Sequence, residues 1–185
     1  MSKLIAPDLR IESAPAAVLQ RGVFHCSLHD PRIRDRRRRC LDRWEVRNAG
    51  TTAGFNYLLD AGFRAGSAIS PWYIGLINNS GYSAVAAGDT PSSHAGWTEF
   101  TDYSGSNRLA WSPSAASSGQ LVSGSSASFT LTASGTIRGI FIISSQAKSA
   151  TTGTLWATAV ESSGRAVSNG QVLQVYYTNT LTAVS

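Results

Sequence analysis

The sequence predicts a mainly β protein: an antiparallel β-sandwich or jelly roll with one short α-helix and an extended N-terminal arm. Three observations predict it. Apolar residues fall in short runs or strict alternation of strand length, Gly, Ser, Asn and Asp cluster between those runs, and only one segment carries helical periodicity. Composition agrees, since charged residues make up 15% of the chain, below the roughly 25% usual in soluble domains. With 185 residues the chain can bury a core without disulfide staples.

Residues 1–20 carry Ala, Pro and Ser with little periodicity and read as an arm that reaches onto neighbours or, equally, as a disordered segment. Extended at about 3.3 Å per residue, such an arm spans roughly 65 Å, far beyond the radius of gyration of about 15 Å expected for the rest. Residues 21–185 read as one β-sandwich domain with a basic loop, 30–43, inside it. Its first strands are VFHCSLH at 23–29 and RWEVRN at 43–48. Residues 52–64 form the helix: Phe55, Leu58, Leu59 and Phe63 share one face, and Asn56, Asp60 and Arg64 take the other. Thr51 or Thr52 can cap its start, and Gly62 or Gly66 can stop it. A helix with this apolar face is expected to lie across the sandwich as a lid.

Strands then follow at 72–78 (WYIGLIN), 98–103 (TEFTDY) and 127–134, where ASFTLTAS alternates fully and keeps one face wet. IRGIFIIS at 137–144 is apolar on both faces, which predicts a central strand or one whose outer face meets another subunit. TLWATAVES at 154–162 and QVLQVYYTNTLTAV at 171–184 bring the total to about eight strands. NNSGYS, SGSN, SSGQ, SSGR and SNGQ supply the turns.

Charge is concentrated at one end. Residues 1–50 hold eleven Lys or Arg against six Asp or Glu, while the remainder holds five of each. The densest part runs Arg32 to Arg39, followed by Arg43 and Arg47. Such a cluster attracts phosphate without reading bases, but no aromatic residue is interleaved to stack single strands. Docking on an acidic protein surface, or a solvated loop, is the favoured reading over nucleic acid.

Candidate chemistry is sparse. Cys26 and Cys40 are too few for a disulfide framework and are expected to be thiols. His25, Cys26, His29 and Cys40 could in principle hold zinc, but adjacent His and Cys point to opposite faces of a strand. Asp89, Ser92, Ser93, His94 and Glu99 cluster in one segment, yet neighbouring Ser93 and His94 imply no nucleophile and base geometry, and no nucleophile-elbow pattern accompanies them. That segment reads as a loop in which Asp89 and Thr90 start a turn and Trp97 anchors the chain. No phosphate loop, dinucleotide fingerprint or calcium loop occurs, so no cofactor or metal is implied and no enzyme is expected. Trp44, Trp72, Trp97, Trp111 and Trp156 are expected in the core rather than on a sugar-stacking surface. Trp111 is the expected exception: it and Tyr82, set in polar loops, are the expected exposed anchors.

From about residue 44 onward the chain resembles small proteins of the structural gene blocks of tailed phages. The stretches that carry the resemblance are RWEVRNAGTTAGFNYLLDAGFR, ISPWYIGLINNSGYSAVAAGDTPSSHAGWTEFTDYSGSNRLAWSP, TGTLWATAV and NGQVLQVYYT. It covers about three quarters of the chain and rests on packing and turn motifs. HDPRIRDRRRRCLD departs from the short turn expected between the first two strands, so the resemblance does not reach the basic segment. What it implies is a decoration or cement protein of the capsid, working as a dimer or trimer on the major capsid protein. The expected contacts are Arg32, Arg34, Arg36, Arg37, Arg38, Arg39, Tyr82 and Trp111. A tail or fibre component and a nucleic-acid-binding module are the alternatives. The interrupted apolar pattern of the first twenty residues predicts synthesis in the cytoplasm and no membrane partner, and the resemblance implies a bacterial host and the virion surface as destination.

Overall fold

Hydrophobic alternation sorts residues 17–35 and 39–184, the residues described by this computed structural model, into ten strands and one helix. The strands are β1 (Ala17–His29), β2 (Cys40–Gly50), β3 (Trp72–Asn78), β4 (Glu99–Phe100), β5 (Leu109–Trp111), β6 (Gln120–Val122), β7 (Ala127–Thr130), β8 (Gly135–Ile143), β9 (Leu155–Val167) and β10 (Val172–Val184). The helix, α1, spans Thr52–Phe63. The mainly antiparallel β class with a single short helix is what the sequence pattern demands. Residues 1–16 of the expected arm lie outside the described residues. Its last four, 17–20, already belong to β1.

All pairings are antiparallel, in the order β4, β3, β8, β9, β2, β1, β10, β6, with β5 also on β3 and β7 on β10. β2 joins two halves of this sheet. It pairs with β1 up to Arg47, then turns to β9 from Asn48 to Gly50. One core cluster draws on both halves: Phe24, Trp44, Phe129, Leu173 and Tyr177 from one, and Ile74, Leu76, Ile140, Ile142 and Trp156 from the other. Removing this much apolar surface from water at about 25 cal/mol per Å² is the main force for folding.

β8 shows why both its faces are apolar. Ile137, Ile140 and Ile142 face the main core, while Phe141 and Ile143 join Ile77, Trp97 and Leu155 in a second cluster behind it. Tyr73, Tyr82, Val85 and Val160 pack against that cluster, so the connection from β3 to β4 covers the outer face. β8 is therefore a central strand, paired to β3 and β9.

Three sequence expectations shift. TEFTDY yields a strand only at Glu99 and Phe100. LAW at 109–111 and QLV at 120–122 are additional strands, too short to show alternation in sequence. SSGR does not join two strands: β9 runs through it, and residues 161–164 bulge out opposite Arg138, with Gly164 at φ 73° supplying the left-handed turn.

The helix departs most from expectation. Thr51 is its N-cap, accepting the Gly54 N–H at 3.0 Å and donating its hydroxyl to the Leu155 carbonyl of β9. Gly54 is its only buried residue, and a Cβ there would stand 2.5 Å from the Trp156 carbonyl oxygen and 2.9 Å from its Cα. The helix thus seats its first turn on β9 through a glycine. Tyr57 packs edge-on to Trp72 and accepts the Ile69 N–H at 2.7 Å. Gly54, Tyr57 and Ala61 lie toward the sheet, and this turns the bulky stripe away. Phe55, Leu58, Leu59 and Phe63 are 39%, 37%, 55% and 86% exposed, so α1 is not a lid with its apolar face inward.

Candidate functional site

An exposed apolar stripe on α1 is the first candidate. Phe55 still touches Trp156 edge-on at 6.2 Å, but Leu59 and Phe63 project into solvent. Beside Leu58 a groove of about 290 Å³ opens between α1 and the sheet, lined by Tyr57, Trp72, Trp111, Trp156 and Asn179. Its indoles pack edge to face: Trp72 meets Trp156 at 6.2 Å and 62°. Four of the five tryptophans are buried and Trp72 is half-buried. Tryptophan therefore builds core here, as expected, rather than a flat sugar platform.

Trp111 corrects an expectation. It is buried, because LAW forms β5 against β3 and directs this ring inward beside Tyr177 at 5.1 Å. Its indole N–H donates to Ser123 Oγ at 2.8 Å, and the same oxygen accepts the Tyr177 N–H. Trp111 closes a polar seam in the core and forms one wall of the groove beside α1, so it is not an exposed anchor. Tyr82 is half-buried against the second core cluster, with the Arg138 guanidinium 4.5 Å over its ring. It anchors a loop more than it projects from one.

The basic segment divides. Arg32 forks onto Asp30 with bonds of 2.8 and 2.6 Å, and this pairing holds the Asp30 carboxyl below its ordinary range. Arg32 is thereby committed to closing the β1 to β2 connection. Arg39 donates to the Ile33 carbonyl at 3.3 Å and is half-buried. Arg34 is exposed. Arg36, Arg37 and Arg38 lie outside the described residues. Sequence reasoning gave less weight to Arg43 and Arg47 and missed Arg21. All three are exposed on the outer face of β1 and β2. The alternation of Trp44 and Val46 inward with Arg43, Glu45 and Arg47 outward carried the signal for two of them.

The residues nominated for chemistry have structural duties. Asp89 is buried and accepts both the Trp97 indole N–H and the Ala86 N–H at 2.9 Å. His94 stacks on Trp97 at 4.1 Å and bonds the Trp97 carbonyl through Nδ1 at 2.9 Å. Ser92 faces Thr90 at 3.3 Å, and the Ser93 N–H donates to Thr90 Oγ1 at 3.1 Å. Glu99 receives a bidentate pair from Arg108, both bonds 2.9 Å, plus the Ser149 N–H at 2.6 Å. The bonds of Asp89 and His94 brace Trp97 against β8, those of Ser92 and Ser93 close the turn at Thr90, and those of Glu99 tie β4 to Arg108 and Ser149. His25 and Cys26 point to opposite faces of β1, His25 exposed and Cys26 4% exposed, and burial pushes the Cys26 thiol well above its usual range. No helix among the described residues is long and apolar enough to cross a membrane.

No protein-family model matches this chain, and no curated protein matches it.

Proposed function

We propose that the chain is a structural protein of a phage virion which binds the outside of the capsid and cements its subunits by non-covalent contacts. The observation that carries this reading is the outward-turned apolar stripe of α1, with Phe63 86% and Leu59 55% exposed on a helix pinned by Gly54 and Thr51. A folded block that buries Phe24, Phe100, Phe129 and Phe141 yet holds this stripe in water is built for a partner. The virion context rests on the resemblance of residues 44–185 to phage structural proteins. The partner is then the major capsid protein, with self-association into a dimer or trimer bringing several stripes to one site.

The mechanism is linkage. A protein that binds only the assembled lattice stabilises it by RT ln(1 + [L]/Kd), about 2.7 kcal/mol per site at a hundredfold excess over Kd. Covering Leu59 and Phe63 on contact supplies apolar burial at the centre of the interface. Co-sedimentation of purified protein with undecorated capsids tests the reading. Saturable binding with a raised capsid melting temperature is expected, and the variant Leu59→Ser/Phe63→Ser binds at least about tenfold more weakly with its own fold intact. Absence of the wild-type chain from the capsid pellet at every concentration would sink it.

A further inference from the structure

Among the described residues, several cations are spent internally: Arg32 on Asp30 at 2.6 Å, Arg64 on Asp60 at 3.1 Å, Arg108 on Glu99 at 2.9 Å and Arg165 on Asp42 at 3.2 Å. Lys148 donates to the Thr101 and Tyr103 carbonyls, and Arg138 lies over Tyr82. Arg21, Arg43 and Arg47 differ. They are exposed, and none has an ion-pair partner among the described residues.

The register brings these three to one face. Arg47 pairs with Val23 on the last rung between β1 and β2, and Arg21 is its diagonal neighbour on the same face, two residues up β1. Beyond that rung β2 leaves for β9 while β1 continues beside β10 as far as Ala17. A cleft of about 300 Å³ opens where the strands part, lined by Gln20, Arg21, Gly22, Val23, Arg47 and Asn48. Two guanidinium groups on neighbouring strands repel unless an anion sits between them.

We infer that this cleft seats a carboxylate of an acidic protein surface, held between Arg21 and Arg47, with Arg43, Tyr176 and Leu41 completing the docking face. The rest of the face selects protein over nucleic acid. Glu45 stands on β2 between Arg43 and Arg47 and bonds His25 at 3.0 Å, so a phosphate chain following the strand would meet a carboxylate midway. Tyr176, paired with His25, is 42% exposed and Leu41 is 45% exposed, which gives the face the mixture of apolar and charged contacts found in protein interfaces. The inference rests on the reading that the molecule docks on another protein, and adds the chemistry of the surface it meets.

The test uses the full chain and two soluble probes, poly-L-glutamate and oligodeoxythymidylate, across a sodium chloride series. Arg21→Gln/Arg47→Gln is compared with Arg64→Gln/Arg138→Gln, which removes the same charge elsewhere, after thermal melts confirm that both fold. Poly-L-glutamate binding should weaken with salt and fall about tenfold or more in the first variant, while the second stays within about twofold of wild type. Equal loss in both variants would reduce the effect to net charge and overturn the inference. So would tighter binding of oligodeoxythymidylate lost in the same variant, or no retention by poly-L-glutamate. Failure of the capsid reading looks different: the wild-type chain would miss the capsid pellet while still binding poly-L-glutamate.

Discussion

β8 and α1 carry similar apolar content and meet opposite fates. GTIRGIFII buries Ile140, Phe141, Ile142 and Ile143 to 2% exposure or less, whereas TAGFNYLLDAGF leaves Phe55, Leu58, Leu59 and Phe63 between 37% and 86% exposed. The difference lies in how each element is attached. β8 has strands on both edges, the main core on one face and an anchored loop on the other, so each side chain has a place to go. α1 sits on the sheet through its cap, Gly54 and the edges of the Tyr57 and Phe55 rings, and that seat fixes the rotation of the helix about its axis. Hydrophobicity says that a residue gains from burial; backbone attachment decides whether the fold provides it.

The largest effect should come from β8. Phe141→Ala removes a ring that is 1% exposed and packed against Trp97 at 5.1 Å, and should cost about 3–5 kcal/mol in denaturant unfolding. The cover over that face should be nearly as sensitive. Arg108→Leu strands Glu99, whose side chain is 4% exposed, and should cost about 3–5 kcal/mol by the same measurement. A change below about 1 kcal/mol in either variant would mean that the second cluster is a loose flap and would erase the contrast with α1. Gly54→Ala tests the seat of the helix. Alanine favours helix by about 1 kcal/mol, but its Cβ would press into the Trp156 backbone, so a net loss of about 1–3 kcal/mol is expected. Stabilisation instead would show that α1 shifts freely on β9.

Smaller effects sharpen the other side of the comparison. Leu59→Ser/Phe63→Ser should leave stability within about 0.5 kcal/mol per substitution of wild type, since neither side chain is buried. A larger loss would place the stripe against the fold in solution. The smallest effect belongs to the β1 to β2 connection. Arg32 depresses the folded-state pKa of Asp30, so that contribution is present above the ordinary carboxylate range and disappears as pH falls through the lowered value. Asp30→Asn should remove this acid-side slope from a series of melts, and an unchanged slope would show that other carboxylates carry it.

Much of the strand pattern was legible because its signals are local. Alternation in ASFTLTAS gave the alternately buried and exposed positions of β7, and two-sided apolarity in IRGIFIIS gave a central strand. Residues 109–111 and 120–122 escaped because three residues cannot display a period, and Trp111 was misplaced with them. The stripe on α1 was correctly grouped but wrongly directed, since periodicity reports which side chains share a face and says nothing of where that face points. Arg21, Arg43 and Arg47 are spread over twenty-seven positions and become neighbours only through the register of β1 on β2. The run at Arg32 drew attention by density, while Asp30 had already claimed its first member.

The ladder between β1 and β10 joins Ala17 to Val184 and His29 to Val172 over thirteen residue pairs. Each contact in it closes a chain loop of well over a hundred residues, which places this topology among slow folders, on a millisecond to second scale. During synthesis β1 leaves the ribosome first and must wait, with the inward side chains of Phe24, Cys26 and Leu28 uncovered, until the strand it pairs with has been made. This pairing of β1 therefore waits for β10, and the interval before β10 arrives is when nascent copies are most prone to join one another.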